Sequence, residues 1–206
     1  GISIKLSALH PRFELAQHRR VSAELAPRLA ALAARAAATG IPVTIDAEES
    51  ERLELTLELF AALAREPRLA GWSGLGLAVQ AYQRRAIHVC DWLVALARAS
   101  GRRLMVRLVK GAYWDTEIKA AQVLGLDDYP VFTRKSATDA SYLACAQALL
   151  GAGPKLFAQF ATHNSHTVAA VLECAGGRRD FEFQKLQGMG DALYDALVPE
   201  LGLPCR

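Results

Sequence analysis

The sequence predicts an α/β fold, with a parallel sheet wrapped by helices, on three observations. Short apolar runs alternate with amphipathic stretches, so that strand, polar turn and helix recur six times along the 206 residues. The strands are mostly hydrophobic throughout, as in a sheet covered on both faces. Polar residues sit at or near the C-terminal ends of the strands: Lys5, Asp46, Gln80, Arg107 and His163. An open doubly wound sheet and a (β/α)8 barrel both accommodate the alternation. The polarised strand ends favour the barrel, where all such ends converge on one mouth. Six units are two short of a complete barrel.

Each element has its own signature. Ile2–Leu6 alternates around Ser3 and Lys5 and reads as a strand; Pro11 bars a helix from the loop that follows. Leu25, Leu29, Leu32 and Ala36 fall at helical spacing, Gly40 suits the C-terminal cap, and Pro27 belongs in the first turn or breaks the helix. Val43–Asp46 is a short strand ending in a carboxylate, followed by a helix with Leu53, Leu57, Phe60 and Leu63 on one stripe. Gly74–Tyr82 supplies a strand and turn, and Val89, Trp92, Leu93 and Leu96 a helix stopped by Gly101. Leu104–Leu108 is a strand, and Asp115–Val123 a helix. Gly125–Arg134 is a loop. Asp139 is expected to cap a helix running to Leu150. Leu156–Ala161 is a strand, Ser165 a cap for the next helix, Phe181–Gln184 the last strand, and Leu193, Tyr194 and Leu197 lie in the last helix.

Net charge is +3, with Lys and Arg dispersed, so nucleic-acid binding is not expected of this domain. Four cysteines form no CxxC pair and indicate neither zinc nor a disulfide framework. Cys90, Cys145 and Cys174 read as buried free thiols, which fits a reducing compartment. No secretory signal and no apolar run long enough to span a membrane is present. The abrupt start in a strand and the stop at Pro204-Cys205-Arg206 are read as a single domain over 1–206, incomplete at both ends.

Chemistry concentrates in Leu104–Asp115. Two cations, Arg107 and Lys110, end a strand that reads as buried, and a buried cation costs several kcal/mol unless paired. Each is either in a structural ion pair or facing an anionic ligand; followed by Gly111-Ala112-Tyr113-Trp114, the two together favour a site. Asp46 can steer a basic group or cap the following helix. Lys5 can bind a carboxylate, form a Schiff base, or pair with Asp46. Gln80 can bond a planar heterocycle or be a satisfied core amide. His163, between Thr162 and Asn164, can contact a phosphate or ribose, or lie in a surface turn. Thr133-Arg134-Lys135 can bind phosphate or be a solvated loop. No dinucleotide fingerprint, P-loop, metal-spaced cluster or nucleophile elbow is present.

Several runs resemble the proline dehydrogenase domain of the bacterial bifunctional flavoenzyme proline utilisation A. They are Ser3–Arg12, Ile45–Glu49, Val79–Gln83, Met105–Trp114, Tyr129–Val131, Thr133–Lys135, Phe160–Asn164 and Phe183-Gln184 with Gly188–Gly190. The resemblance covers essentially the whole chain, in order. It implies a distorted (β/α)8 TIM-like barrel, of which this chain covers about six units, with non-covalent FAD. It also implies oxidation of L-proline to Δ1-pyrroline-5-carboxylate, the first step of proline catabolism to glutamate, with electrons passing to quinone. On that resemblance Lys5 helps bind the proline carboxylate, Asp46 supports Lys5, and Leu108, Tyr113 and Leu186 contact substrate. Arg107 lies near flavin N5. Gln80, Lys110, Gly111, Ala112, Trp114, Thr133, Lys135, Thr162 and His163 hold the cofactor. No base for the proline amine is assigned. The resemblance further implies an attached or partner pyrroline-5-carboxylate/aldehyde dehydrogenase domain and a cytoplasmic location with peripheral contact at the inner membrane. Two other readings compete: a Schiff-base barrel of the aldolase kind using Lys5 or Lys110, and a non-catalytic barrel fragment.

Overall fold

The computed structural model describes residues 1–206. Six strands form one all-parallel sheet in sequential order: β1 Ile2–Ile4, β2 Val43–Ile45, β3 Leu75–Gln80, β4 Leu104–Val109, β5 Leu156–Ala161 and β6 Phe181–Gln184. The helices are α1 Leu6–Leu9, α2 His18–Ala38, α3 Leu53–Ala64, α4 Ala86–Ser100, α5 Trp114–Val123, α6 Lys135–Gly151, α7 Ser165–Ala175 and α8 Asp191–Leu201. Sequential parallel order, each strand reached through a helix on the outside, is the TIM-barrel arrangement. The chain's last residues extend the sheet: Phe183 donates to the Pro204 carbonyl at 3.0 Å and Arg206 to that of Phe183 at 2.9 Å, beginning a parallel ladder on β6.

Side chains alternate across each strand, and the two faces differ in chemistry. Ile45, Leu75, Leu77, Val79, Leu104, Val106, Leu108, Leu156, Ala158, Phe160, Phe181 and Phe183 face the helices and belong to one continuous core of 43 buried residues. The other face carries Ser3, Thr44, Asp46, Gly76, Gln80, Arg107, Gln159, Glu182 and Gln184. The sheet curls around this polar face. Arg107 on β4 hydrogen-bonds both Ser3 on β1 and Gln184 on β6, which it can do only because strands three places away on one side and two on the other bend towards it.

Several sequence expectations give way locally. β1 ends at Ile4, and Leu6–Leu9 forms a single helical turn before Pro11 takes effect. Pro27 lies inside the 21-residue α2 without ending it. Pro27 and Ala23, whose carbonyl loses its donor, are both exposed, so water can take the donor's place. The buried stripe of α2 runs through Leu25, Leu29 and Ala33, leaving Leu32 exposed. The cap of α7 is Asn164, which accepts from the Thr167 amide at 2.9 Å; Ser165 is already helical. Asp139 lies one turn inside α6, which starts at Lys135. Cys90 and Cys145 are buried, but Cys174 falls on the outer edge of α7 and is exposed. No helix is long and apolar enough to cross a membrane.

One buried carboxylate fixes the orientation of α5. Glu117 accepts from both the amide and the hydroxyl of Ser50, each at 2.6 Å, tying the helix to the segment that follows β2. Glu117→Ala strands two buried donors and is expected to cost about 2–3 kcal/mol in chemical denaturation. Glu117→Gln, which keeps one acceptor, is expected to lose less.

Candidate active site

The barrel mouth is organised around one guanidinium. Arg107 Nε donates to Gln184 Oε1 at 2.7 Å, one terminal nitrogen to Asp46 Oδ1 at 2.8 Å, and the other to Ser3 Oγ at 2.8 Å. Three edges of a planar cation are thus held from β1, β6 and the residue that follows β2, and its side chain remains 21 % exposed. Asp46 is therefore not a helix cap, and it forms its ion pair with Arg107 instead of Lys5. Lys5 shares the interior face of β1 with Ser3. Its ammonium lies 5.6 Å from the centroid of the Tyr113 ring. Contact with the Tyr113 hydroxyl raises Lys5 above the usual lysine range, and the Glu48 and Asp46 carboxylates add to this.

Beneath the mouth, Gln80 is buried and used in full view of the backbone: its Nε2 donates to the Glu48 carbonyl at 2.9 Å, and its Oε1 accepts from the Ala112 amide at 2.9 Å. It pins the Lys110–Ala112 loop to the segment after β2. Gly111 has φ +152° and packs directly on the Tyr82 ring, a position open to no larger residue.

A cavity of about 880 Å³ opens beside Arg107. Arg107, Lys110, Gly111, Ala112, Lys135, Thr162, His163 and Leu186 all border it, together with Lys185 and Arg206. Its lining holds five cations and no carboxylate. That donor set suits an anionic ligand, and the volume lies within the range of about 300–1,000 Å³ usual for small-molecule sites. His163 Nε2 accepts from the Leu186 amide at 3.0 Å, which fixes the loop after β6 against the strand end of β5. Tyr194 donates to the Thr162 carbonyl at 2.7 Å and holds the same strand end from behind.

The structure separates other expected residues from this cavity. Leu108 does not line this cavity: the period of two turns it to the helices, where it is fully buried and its carbonyl accepts from Tyr142. Trp114 donates to the Phe132 carbonyl at 3.0 Å, is 43 % exposed, and lies outside the cavity lining. Thr133 is exposed just before α6 and also lies outside it.

Other functional groups escaped the sequence reading. Ser3 and Gln184 complete the Arg107 clamp, and Glu182 and Gln159 lie behind Gln184. The available signal was alternation: Ser3 precedes Lys5 by two, and Glu182 and Gln184 interleave with Phe181 and Phe183. Asp139 is the counter-ion of both Lys110 and Lys135, the latter at 2.7 Å.

Hydrogen bonds from Lys110, then from Lys135, hold the Asp139 carboxyl below the usual aspartate range. A depressed folded pKa gives stability that is present above the unfolded value near 3.8 and lost as pH falls through the folded value. Asp139→Asn is therefore expected to be less stable than the wild type at neutral pH, by no more than about 1 kcal/mol for so exposed a pair. Acid titrations of the two proteins should converge as pH falls through the lowered Asp139 value.

Comparison with known proteins places these features in context. The family model described as "Proline dehydrogenase" matches residues 1–206. The chain is 54% identical over 214 residues to the "Bifunctional protein PutA" of Klebsiella aerogenes, covering 100% of this chain and 16% of that relative. It is 30% identical over 174 residues to the hydroxyproline dehydrogenase of Bos taurus, covering 82% of this chain and 36% of that relative. Among solved structures, proline utilization A with proline bound in remote sites superposes with a TM-score of 0.98 at 59% identity, covering 100% of this chain and 21% of that one. Proline utilization A from Bdellovibrio bacteriovorus, inactivated by N-propargylglycine, superposes with a TM-score of 0.95 at 33% identity, again covering 100% of this chain and 22% of that one. The chain thus spans about a sixth of the length of its bifunctional relative.

Proposed function

Because the chain belongs to the proline dehydrogenase family, we propose that it forms the core of a site that oxidises L-proline to Δ1-pyrroline-5-carboxylate with FAD as cofactor and quinone as final acceptor. The observation that carries this reading is Arg107, a guanidinium held on three edges beside a cation-lined cavity.

The residues present fit a flavin dinucleotide. Lys110, Lys135, Thr162 and His163 supply cations, a hydroxyl and an imidazole suited to pyrophosphate, ribityl and adenosine groups. Gly111 and Ala112 offer a wall with almost no side chain, against which a planar ring can lie. Bound there, the flavin supplies the two-electron acceptor for a hydride leaving the substrate ring.

The chain's own residues then bind and orient. Arg107 would present fixed positive charge to a flavin held in this cavity, and its three protein hydrogen bonds mean that little reorganisation would be required. Lys5, kept protonated by Tyr113, offers a charge-assisted hydrogen bond to the substrate carboxylate. Asp46 balances Arg107 and adds to the field at Lys5. Leu186, 65 % exposed on the rim, supplies an apolar contact for the substrate ring.

The same facts oppose a Schiff-base lysine. That chemistry needs a neutral amine, whereas Lys5 has its pKa raised and Lys110 is ion-paired with Asp139. In the whole protein this domain would act beside a pyrroline-5-carboxylate/aldehyde dehydrogenase domain, in the cytoplasm and in peripheral contact with the membrane that holds the quinone. Mass spectrometry of isotopically labelled L-proline incubated with the full-length protein and a soluble quinone tests the reaction. Loss of two hydrogens to give the pyrroline carboxylate is expected; unchanged proline in the presence of added FAD would overturn the reading.

A further inference from the structure

The interior of the barrel holds a carboxylate that the reaction as described does not use. Glu182 lies on β6, two residues before Gln184, and its side chain is 4 % exposed. Its Oε1 accepts from Gln184 Nε2 at 2.8 Å and from Gln159 Nε2 at 2.7 Å; its Oε2 lies 3.4 Å from the guanidinium of Arg206. Every partner of Glu182 is a donor.

This arrangement has a consequence for Gln184. A side-chain amide has one donating and one accepting end, and a carboxylate can only accept. With Glu182 on one side, the amide nitrogen must point to it, which leaves the carbonyl oxygen for Arg107. Arg107 Nε can only donate, so that orientation is the one that matches. The same constraint acts on Gln159. Its nitrogen is taken by Glu182, and its Oε1 is left buried with no partner. Glu182 thus sets the direction of both neighbouring amides, because a carboxylate can take only their nitrogens.

We propose that Glu182 is a positioning residue: by orienting the Gln184 amide it fixes the Arg107 guanidinium at the barrel mouth. This rests on Arg107 being the cation at the redox centre. Without the carboxylate, Gln184 can turn its nitrogen towards Arg107 Nε, setting donor against donor, and the guanidinium keeps only Asp46 and Ser3.

The test is a double-mutant cycle in the full-length holoprotein, with Glu182→Leu (which leaves no acceptor for the two amides), Gln184→Leu and the pair combined. Each single variant is expected to lower kcat for proline by about ten- to a hundredfold, as misplacement of a catalytic group does, with KM changed by less than threefold. Because Glu182 acts through Gln184, Glu182→Leu is expected to lower kcat by less than a further twofold in the Gln184→Leu background. Crystal structures of the two single variants supply a readout independent of turnover: Arg107 Nε should have moved away from its wild-type position at residue 184. Multiplicative effects on kcat, or an Arg107 that keeps its place in Glu182→Leu, would overturn the proposal. If Glu182→Leu does not fold, Gln184→Leu decides alone: an unmoved Arg107 and a kcat within twofold of wild type would equally overturn it. Failure of the underlying reading looks different, since wild-type protein would then leave proline unoxidised.

Discussion

Arg107→Met is expected to lower proline-dependent turnover by about 10²- to 10³-fold, the usual cost of removing one preorganised electrostatic group. Methionine keeps the unbranched apolar stem as far as Nε and discards the charge and all three hydrogen bonds. Asp46, Gln184 and Ser3 each lose a donor, so stability falls as well, by about 1–3 kcal/mol. Arg107→Lys separates the two effects. A lysine retains the charge but can reach only part of the set, since it lacks the planar fork. Its turnover should fall between those of Met and wild type, while stability stays close to wild type. Equal turnover in the Met and Lys variants would mean that hydrogen-bond geometry, and not charge, is what Arg107 contributes.

Gly111→Ala is expected to be the most damaging single-methyl change at the site. An added Cβ would stand 2.7 Å from Cδ1 of Tyr82 and nearer still to Cγ and Cδ2. Tyr82 is 2 % exposed and has no room to retreat, and its hydroxyl is buried without a partner. The φ of +152° adds backbone strain that any residue with a Cβ must bear. Overpacking and strain together come to about 2–4 kcal/mol, or a fall of about 5–15 °C in Tm for a domain of this size. The loop that moves carries Lys110 and Ala112, so cofactor content should fall with stability. Ala112→Gly, one residue on, tests the argument: it is expected to change Tm by only about 2–4 °C. A Gly111→Ala protein with wild-type Tm and full cofactor would show that the loop can shift freely.

The strands and the residues at their ends were legible in the sequence because two independent signals coincided there. Short apolar runs located β2, β3, β4 and β5, and cations and amides at their ends marked the mouth. Arg107 and Asp46 could be seen separately, but their pairing could not. It links strands two places apart, and no local pattern encodes a contact across 61 residues. The expectation that Lys5 pairs with Asp46 failed for this reason: adjacency of β1 and β2 favoured it, and Arg107 reaches Asp46 first. Leu108 shows a second limit. Matching a residue to a family position assigns it to a wall without saying which face of the strand it occupies, and alternation from Arg107 turns it outward. Asp139 shows a third. A carboxylate near a helix start reads as a cap, yet here the helix begins four residues earlier and the carboxylate serves two lysines. Glu182 and Gln159 went unread because polar residues inside a mostly apolar strand resemble interruptions until the barrel closes around them.

The absorbance spectrum of the full-length protein, taken before and after anaerobic addition of L-proline, is the decisive measurement. Flavin-dependent proline oxidation predicts bands at about 450 nm from an oxidised flavin that bleach on addition of proline, and that fail to bleach at a comparable rate in Arg107→Met. A protein that stays colourless after incubation with FAD, or one whose flavin bands persist with saturating proline, would contradict it.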